Sequence, residues 1–214
     1  IFTNKQVLEN LGAVSWWKLE GNAQDEIGGN HGTLNGDVNF INGKYGKAGS
    51  FDGSVGEGWI EIPNSNSLSI TKEITIVVWT NPNADMNTGT WTAIRKYPAD
   101  YLLEPGDAGT NVWRFRIEDS TPSTLHIVDT ANPVTINTWH HLVGTYDGSE
   151  QKIYVDGVIS DSTSTPGNIK TTFGNLFIGK FYNENFNGQI DEVMIFNRAI
   201  TDKEVKGIYE LNLN

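Results

Sequence analysis

Residues 139–157 read WHHLVGTYDGSEQKIYVDG, and the spacing of apolar side chains in this stretch decides the fold. Leu142 and Gly144 alternate with His141, Val143 and Thr145. Beyond the YDGSEQK segment, Ile153 and Val155 alternate with Tyr154. A period of two on both sides of a turn predicts a β-hairpin with one buried face. Asp147-Gly148 suits a turn that needs positive φ, and Asp156-Gly157 marks a second turn straight after.

The same pattern runs through the chain. Short apolar alternations fall at 14–19, 50–51, 59–62, 74–80, 92–95, 101–103, 112–118, 124–128, 140–146, 152–155, 175–178 and 189–196. Clusters of Asn, Asp and Gly separate them, and the chain has 23 glycines. Strands about ten residues apart with turn signals between them predict an all-β sandwich or jelly roll rather than a parallel α/β sheet. Near the C-terminus, TDKEVKGIYEL sets Thr201 three residues before Glu204, with Val205 and Ile208 on one face, which predicts a short helix. The opening NKQVLENLG is a helical turn or linker that stops at Gly12. The expected organisation is residues 1–12 as a linker or short helix and 13–214 as one domain, since 214 residues can bury a single sizeable core.

Charge and composition remove several classes of function. With 26 acidic and 15 basic residues the net charge is −11, so there is no basic footprint for nucleic acid. No cysteine is present, which removes disulfides, thiolate metal sites and cysteine nucleophiles. No apolar run reaches the length of a membrane span, and no segment resembles a signal peptide. The chain begins at Ile1, so a mature or excised fragment is expected.

Five motifs in order, KYGKAGSFDG, ITIVVWTNPN, the hairpin, FIGKFYNENFNGQ and IDEVMIFNRAITDKEV, make the chain resemble the laminin G-like, concanavalin A-like jelly roll of lectin and pentraxin-type modules. The resemblance covers roughly residues 13 to 212. It implies two antiparallel sheets packed face to face, one curved into a concave surface. It also implies a sugar-binding, adhesion or enzymatic role, because this fold hosts all three. Extracellular or cell-surface location, within a larger protein, follows from the same resemblance.

Two constellations carry the chemistry. Asp25, in GNAQDEIGGNHG, and Asp191, in GQIDEV, fall where similar modules join an N-terminal loop to the last long strand through calcium, with Asp52 as a further oxygen donor. The simpler alternative is that these aspartates cap turns. For carbohydrate, pairing 112–118 with 124–128 places Trp113, Phe115 and Ile117 on one face with Leu125 and Ile127, and leaves Arg114, Arg116 and His126 on the other. Arg95, His141, Tyr97, Tyr101 and Trp79 are expected to join that second, concave face. Trp59 and Trp91 are weighed beside Trp79, each as ring platform or loop packing. Three arginines together suit a sugar with an acidic group. The alternative pairs them with Glu118, Asp100 or Glu104.

Catalytic readings fare less well. In GQIDEVMIF, Asp191 and Glu192 are adjacent, so a regular strand would send them to opposite faces and spoil a glycosidase dyad. WRFRIED, TLHIVD and GKFYNENF echo alginate-type lyases, with His126 as base and Tyr182 as acid, but no Gln-x-His occurs. No phosphate loop, H-E-x-x-H or G-x-S-x-G is present. The reading is a non-catalytic carbohydrate-binding, lectin-like module, with protein adhesion or a polysaccharide lyase as alternatives.

Overall fold

The computed structural model describes residues 2–53, 58–83, 92–98, 100–106, 110–120, 124–181 and 184–213. Its strands in chain order are β1 (Ala13–Trp17), β2 (Thr33–Asn35), β3 (Asn39–Asn42), β4 (Lys47–Asp52), β5 (Trp59–Ile62), β6 (Ile74–Pro82), β7 (Ile94–Lys96), β8 (Tyr101–Pro105), β9 (Trp113–Glu118), β10 (Leu125–Asp129), β11 (His140–Tyr146), β12 (Glu150–Val155), β13 (Val158–Ser164), β14 (Leu176–Ile178), β15 (Lys180–Phe181), β16 (Glu184–Asn185) and β17 (Asn187–Phe196). Helices α1 (Asn4–Asn10) and α2 (Asp202–Glu210) flank them. Each helix opens with a capping box, Thr3 with Gln6 and Thr201 with Glu204, so its first free N–H groups are satisfied. Arg198 grips Glu204 with two hydrogen bonds of 2.7 and 3.0 Å, which holds that carboxyl down to about 2.

Among the described residues the strands form two large antiparallel sheets and a separate β15–β16 pair. One sheet has eight strands in the order β13-β12-β11-β6-β17-β4-β3, with β1 also on β17; the other has seven in the order β10-β9-β8-β7-β14-β5-β2. The fold is therefore the expected all-β jelly-roll sandwich. The hairpin read at 139–157 is β11–β12, with Leu142 opposite Val155 and Thr145 opposite Lys152. The apolar alternation marks neither β2, β3 and β13, most of whose residues are exposed, nor the two-residue strands β15 and β16. Turn residues of the second Asp-Gly pair lead directly into β13.

The inner faces interlock into one core. Trp113, Phe115 and Ile117 of one sheet meet Ile76, Val78, Leu142, Ile153 and Ile195 of the other. At Gly144 the sheets come so close that a Cβ would stand 2.4 Å from Phe115 Cγ. The glycine is therefore required by contact, and its place in the hairpin alternation belongs to the core.

The outer face of the eight-stranded sheet is apolar too. Leu8 of α1 and Val205 and Ile208 of α2 pack there with Trp16, Val77, Val143, Tyr154, Met194 and Phe196. Strand β6 is consequently buried on both sides, which explains the unbroken run ITIVVW. On this covered face Trp79 stacks on Tyr209 of α2 with centroids 5.7 Å apart, His141 lies 5.1 Å from Trp79, and Lys44 Nζ sits 4.2 Å over the Trp79 ring. His141 is fully buried, and neither ring nitrogen has a partner among the described residues. Desolvation pushes its imidazole down to about 3.

Gly144→Ala should cost about 1–3 kcal/mol in urea denaturation through overpacking against Phe115; an unchanged midpoint would refute the close approach. For His141, the folded value lies below the ordinary 6.5, so acid protonates the unfolded chain first. Stability should therefore fall with pH below about 6.5, by up to ~1.4 kcal/mol per unit from this group, and His141→Leu should flatten that slope. Denaturation series from neutral pH to pH 4 on both proteins measure it.

Candidate functional site

The outer face of the seven-stranded sheet is built differently. Antiparallel register places Ile127, Arg116, Leu102, Arg95, Phe177 and Glu61 in one row across five neighbouring pairings. Directly opposed residues share a face, so the row is a continuous transverse band. A second row brings Asp129, Arg114 and Glu104 together. Leu102, Arg95 and Glu104 are buried at the centre, while Arg114, Arg116, Phe177 and Trp59 toward the two ends are half-buried.

Each guanidinium on this face has an internal acceptor. Arg114 forks onto Asp129, with Nε to Oδ1 at 2.7 Å and Nη2 to Oδ2 at 2.9 Å. Arg116 Nη1 donates to Glu104 Oε1 at 2.6 Å. Burial raises the Glu104 carboxyl above its ordinary range, and the Arg116 charge opposes that rise. Arg95 Nε donates to the Pro98 carbonyl at 2.7 Å, and its guanidinium lies 5.8 Å from the Tyr97 ring. Arg116 Nε and Trp59 Nε1 are buried without an acceptor among the described residues.

An aromatic group occupies the end nearer β5 and β14. Phe177 meets Tyr97 edge-on, with centroids 6.5 Å apart and planes at 88°. Lys180 Nζ lies 3.5 Å from the Trp59 ring centroid and 5.4 Å from that of Phe177. Tyr97 is 45% exposed. Glu61 accepts a 2.7 Å hydrogen bond from Asn175 Nδ2. Flat rings beside ionised donors and acceptors can hold a ligand with both apolar and hydroxylated faces.

Four of the eight residues expected to bind sugar meet here: Arg95, Tyr97, Arg114 and Arg116. The other four do not. Tyr101 points into the core, fully buried, and donates its hydroxyl to the Leu68 carbonyl at 2.9 Å. His126 pairs with Ile117 and so turns to the inner side with Val128, while Leu125 and Ile127 share the arginine face at 45% and 40% exposure. This one-residue difference reverses the expected β10 assignment. Trp79 and His141 belong to the other sheet, beneath α2. Sequence reasoning passed over Phe177, Lys180 and Asp129 as members; Phe177 sits within the run LFI, where no alternation sets it apart.

The calcium donors do not converge. Asp25 Oδ1 accepts from the N–H groups of Trp16 and Ile27, each at 2.9 Å, and Oδ2 from those of Gly28 at 3.1 Å and Asn30 at 2.9 Å. Its lone pairs are thus taken by backbone donors, an arrangement that closes the 25–30 loop and does not fit a metal ligand. Asp191 is buried with Oδ2 on Tyr45 N at 3.0 Å, and Asp52 is exposed at the end of β4. Among the described residues no group of three or more His, Asp or Glu is disposed to hold an ion.

Asp191 and Glu192 also depart from expectation. The β17–β6 register shifts between Asp191 and Met194, and Glu192 has φ of 48°, so a bulge inserts one extra residue. Trp16 Nε1, on the covered face, reaches Glu192 Oε2, and each carboxylate is fully buried. The two are therefore not sent to opposite faces. Burial lifts Asp191 to about 7 and Glu192 to about 9, the latter also through Asp191. Buried beside the 43–46 turn and Trp16, they have no access to a polysaccharide. Of the lyase pair, His126 Nε2 stands 3.8 Å from Asp119 Oδ2, and Tyr182, like Trp91, lies outside the described residues. An open groove of about 490 Å³ beside the start of α2 is lined by Glu73, Asp147, Glu150, Lys152 and Asp202, and its Tyr154 hydroxyl is spent on Asp202 at 2.7 Å.

No curated protein sequence matches this chain. Among solved structures it is similar to domain 4 of AbnA, an extracellular arabinanase of Geobacillus stearothermophilus, solved with arabinotriose: TM-score 0.76, 20% identity, covering 93% of this chain and 98% of that one. It is also similar to the botulinum neurotoxin serotype D ligand binding domain in complex with N-acetylneuraminic acid, with TM-score 0.72 and 15% identity over 94% of this chain. The binding domain of Paraclostridial Mosquitocidal Protein 1 gives TM-score 0.73 and 15% identity over 92% of this chain. This chain spans about half of each toxin domain, 51% and 52%. At these identities the likeness establishes the fold. Residues 52–206 match the family model of the concanavalin A-like lectin/glucanases superfamily, and with most of its length so matched the chain belongs to that superfamily.

Proposed function

We propose that this chain is a non-catalytic carbohydrate-binding module of a larger exported protein, and that sugar lies on the outer face of the seven-stranded sheet. The observation that carries the reading is the asymmetry of the sandwich. Helices cover the outer face of one sheet, whereas the other presents Phe177, Tyr97 and Trp59 beside a guanidinium–carboxylate lattice. Sugars offer apolar C–H faces to rings and hydroxyl edges to charged hydrogen-bonding groups.

The relatives support the class of ligand. One similar domain belongs to an extracellular arabinanase and was solved with arabinotriose, and another was solved with N-acetylneuraminic acid. No helix among the described residues is long and apolar enough to cross a membrane. Binding by a single shallow face is expected to be weak, and neighbouring modules or a catalytic domain would add avidity.

The test is a glycan-array screen of the wild type beside Phe177→Ala and Trp59→Ala. Binding to a defined glycan, weakened about tenfold or more by either substitution with the thermal midpoint preserved, is the expected result. Absence of binding to any glycan would overturn the reading in favour of a protein-adhesion role. Binding unaffected by both substitutions would move the site off this face.

A further inference from the structure

The geometry points to an uncharged glycan, rather than one carrying uronate or sialate carboxylates, as the ligand of this face. The inference rests on the carbohydrate-binding reading and narrows it. Relatives of the same fold have been solved with a neutral and with an acidic sugar, so the fold does not choose between them. The side chains of this chain do.

An acidic sugar needs a guanidinium or ammonium whose charge is not already matched. Arg114 has spent its fork on Asp129, and Arg116 is held by Glu104. Arg95 is withdrawn in a different way, buried at the centre of the face with its guanidinium turned onto the Pro98 carbonyl. An incoming carboxylate would have to draw Arg114 or Arg116 from its partner. That would leave Asp129 or the buried Glu104 beside a second negative charge, and removing one member of a buried pair is costly. Lys180 lies against the Trp59 and Phe177 rings, where its charge already has the π-face as partner.

Arg95, Arg114, Arg116 and Lys180 stand against Glu61, Glu104 and Asp129, an excess of one positive charge on the face, while the whole chain carries −11. The long-range field therefore repels a polyanion, and a single local positive charge opposes it only weakly. For a neutral sugar the same groups work differently. Asp129 and Glu61 are acceptors for hydroxyl donors, the guanidinium edges are donors, and the exposed Tyr97 and half-buried Phe177 rings take the apolar C–H face.

Isothermal titration against neutral arabino-, galacto- and xylo-oligosaccharides, beside oligogalacturonate and sialyllactose, in about 0.02 and 0.3 M salt, tests this. A neutral ligand should bind with less than about a twofold change between the two salts, and the acidic ones about tenfold more weakly or not at all. In Asp129→Asn, a half-exposed position, Arg114 is released, and oligogalacturonate affinity should rise about fivefold or more at low salt and fall again at high salt. Wild-type preference for an acidic glycan, lost with salt, would overturn the inference while leaving the carbohydrate reading intact. So would an Asp129→Asn protein that stays folded and gains no acidic binding. Failure of every glycan, neutral and acidic, would remove the carbohydrate reading and this inference with it.

Discussion

Val205 and Ile208 of α2 seat the C-terminal helix on Val77, Val143 and Met194, and this contact makes the eight-stranded sheet apolar on both sides. Much of the rest follows from it. A sheet buried twice needs strands without alternation, as β6 has, and it forces any polar residue on the covered face to find a partner or lose its charge. His141, Asp191 and Glu192 are the residues so placed, and their titration is displaced toward the neutral form in each case.

The second sheet answers a different constraint. Its outer face is covered by neither α1 nor α2, and its charged side chains pair with one another across strands: Arg114 with Asp129 across β9–β10, and Arg116 with Glu104 across β8–β9. Cross-strand pairs of this kind hold the guanidinium planes in fixed positions. Preformed donors and acceptors lower the ordering cost of binding, which matters most where each contact is weak.

The architecture was legible in the sequence because the hairpin, the strand spacing and the helix cap at Thr201 are all local signals. The face of each strand was legible only where one side is wet. At β9, WRFRIE alternates cleanly and Arg114 and Arg116 were placed correctly. At β10, both alternating sets contain apolar residues, Leu125 and Ile127 in one and Val128 in the other. An edge strand can leave either set exposed, and the register that decides is a tertiary fact. Trp79 and His141 were misplaced for the converse reason, since a strand buried on both sides gives no sign of which face is which. The bulge at Glu192 has no glycine to announce it. Asp25 looked like a metal ligand because its use, four backbone hydrogen bonds, calls for the same short acidic side chain.

Asn4 Nδ2 donates to the Asn212 carbonyl at 2.8 Å, across nearly the whole length of the chain. Both ends of the domain thus lie together on the helical side of the sandwich, opposite the arginine and aromatic face. Polypeptide joined at either end would depart from that one side, so that any attachment would stand back to back with the candidate surface. Modules strung through such a connection would each turn the same sheet outward, free of obstruction by their own linkers.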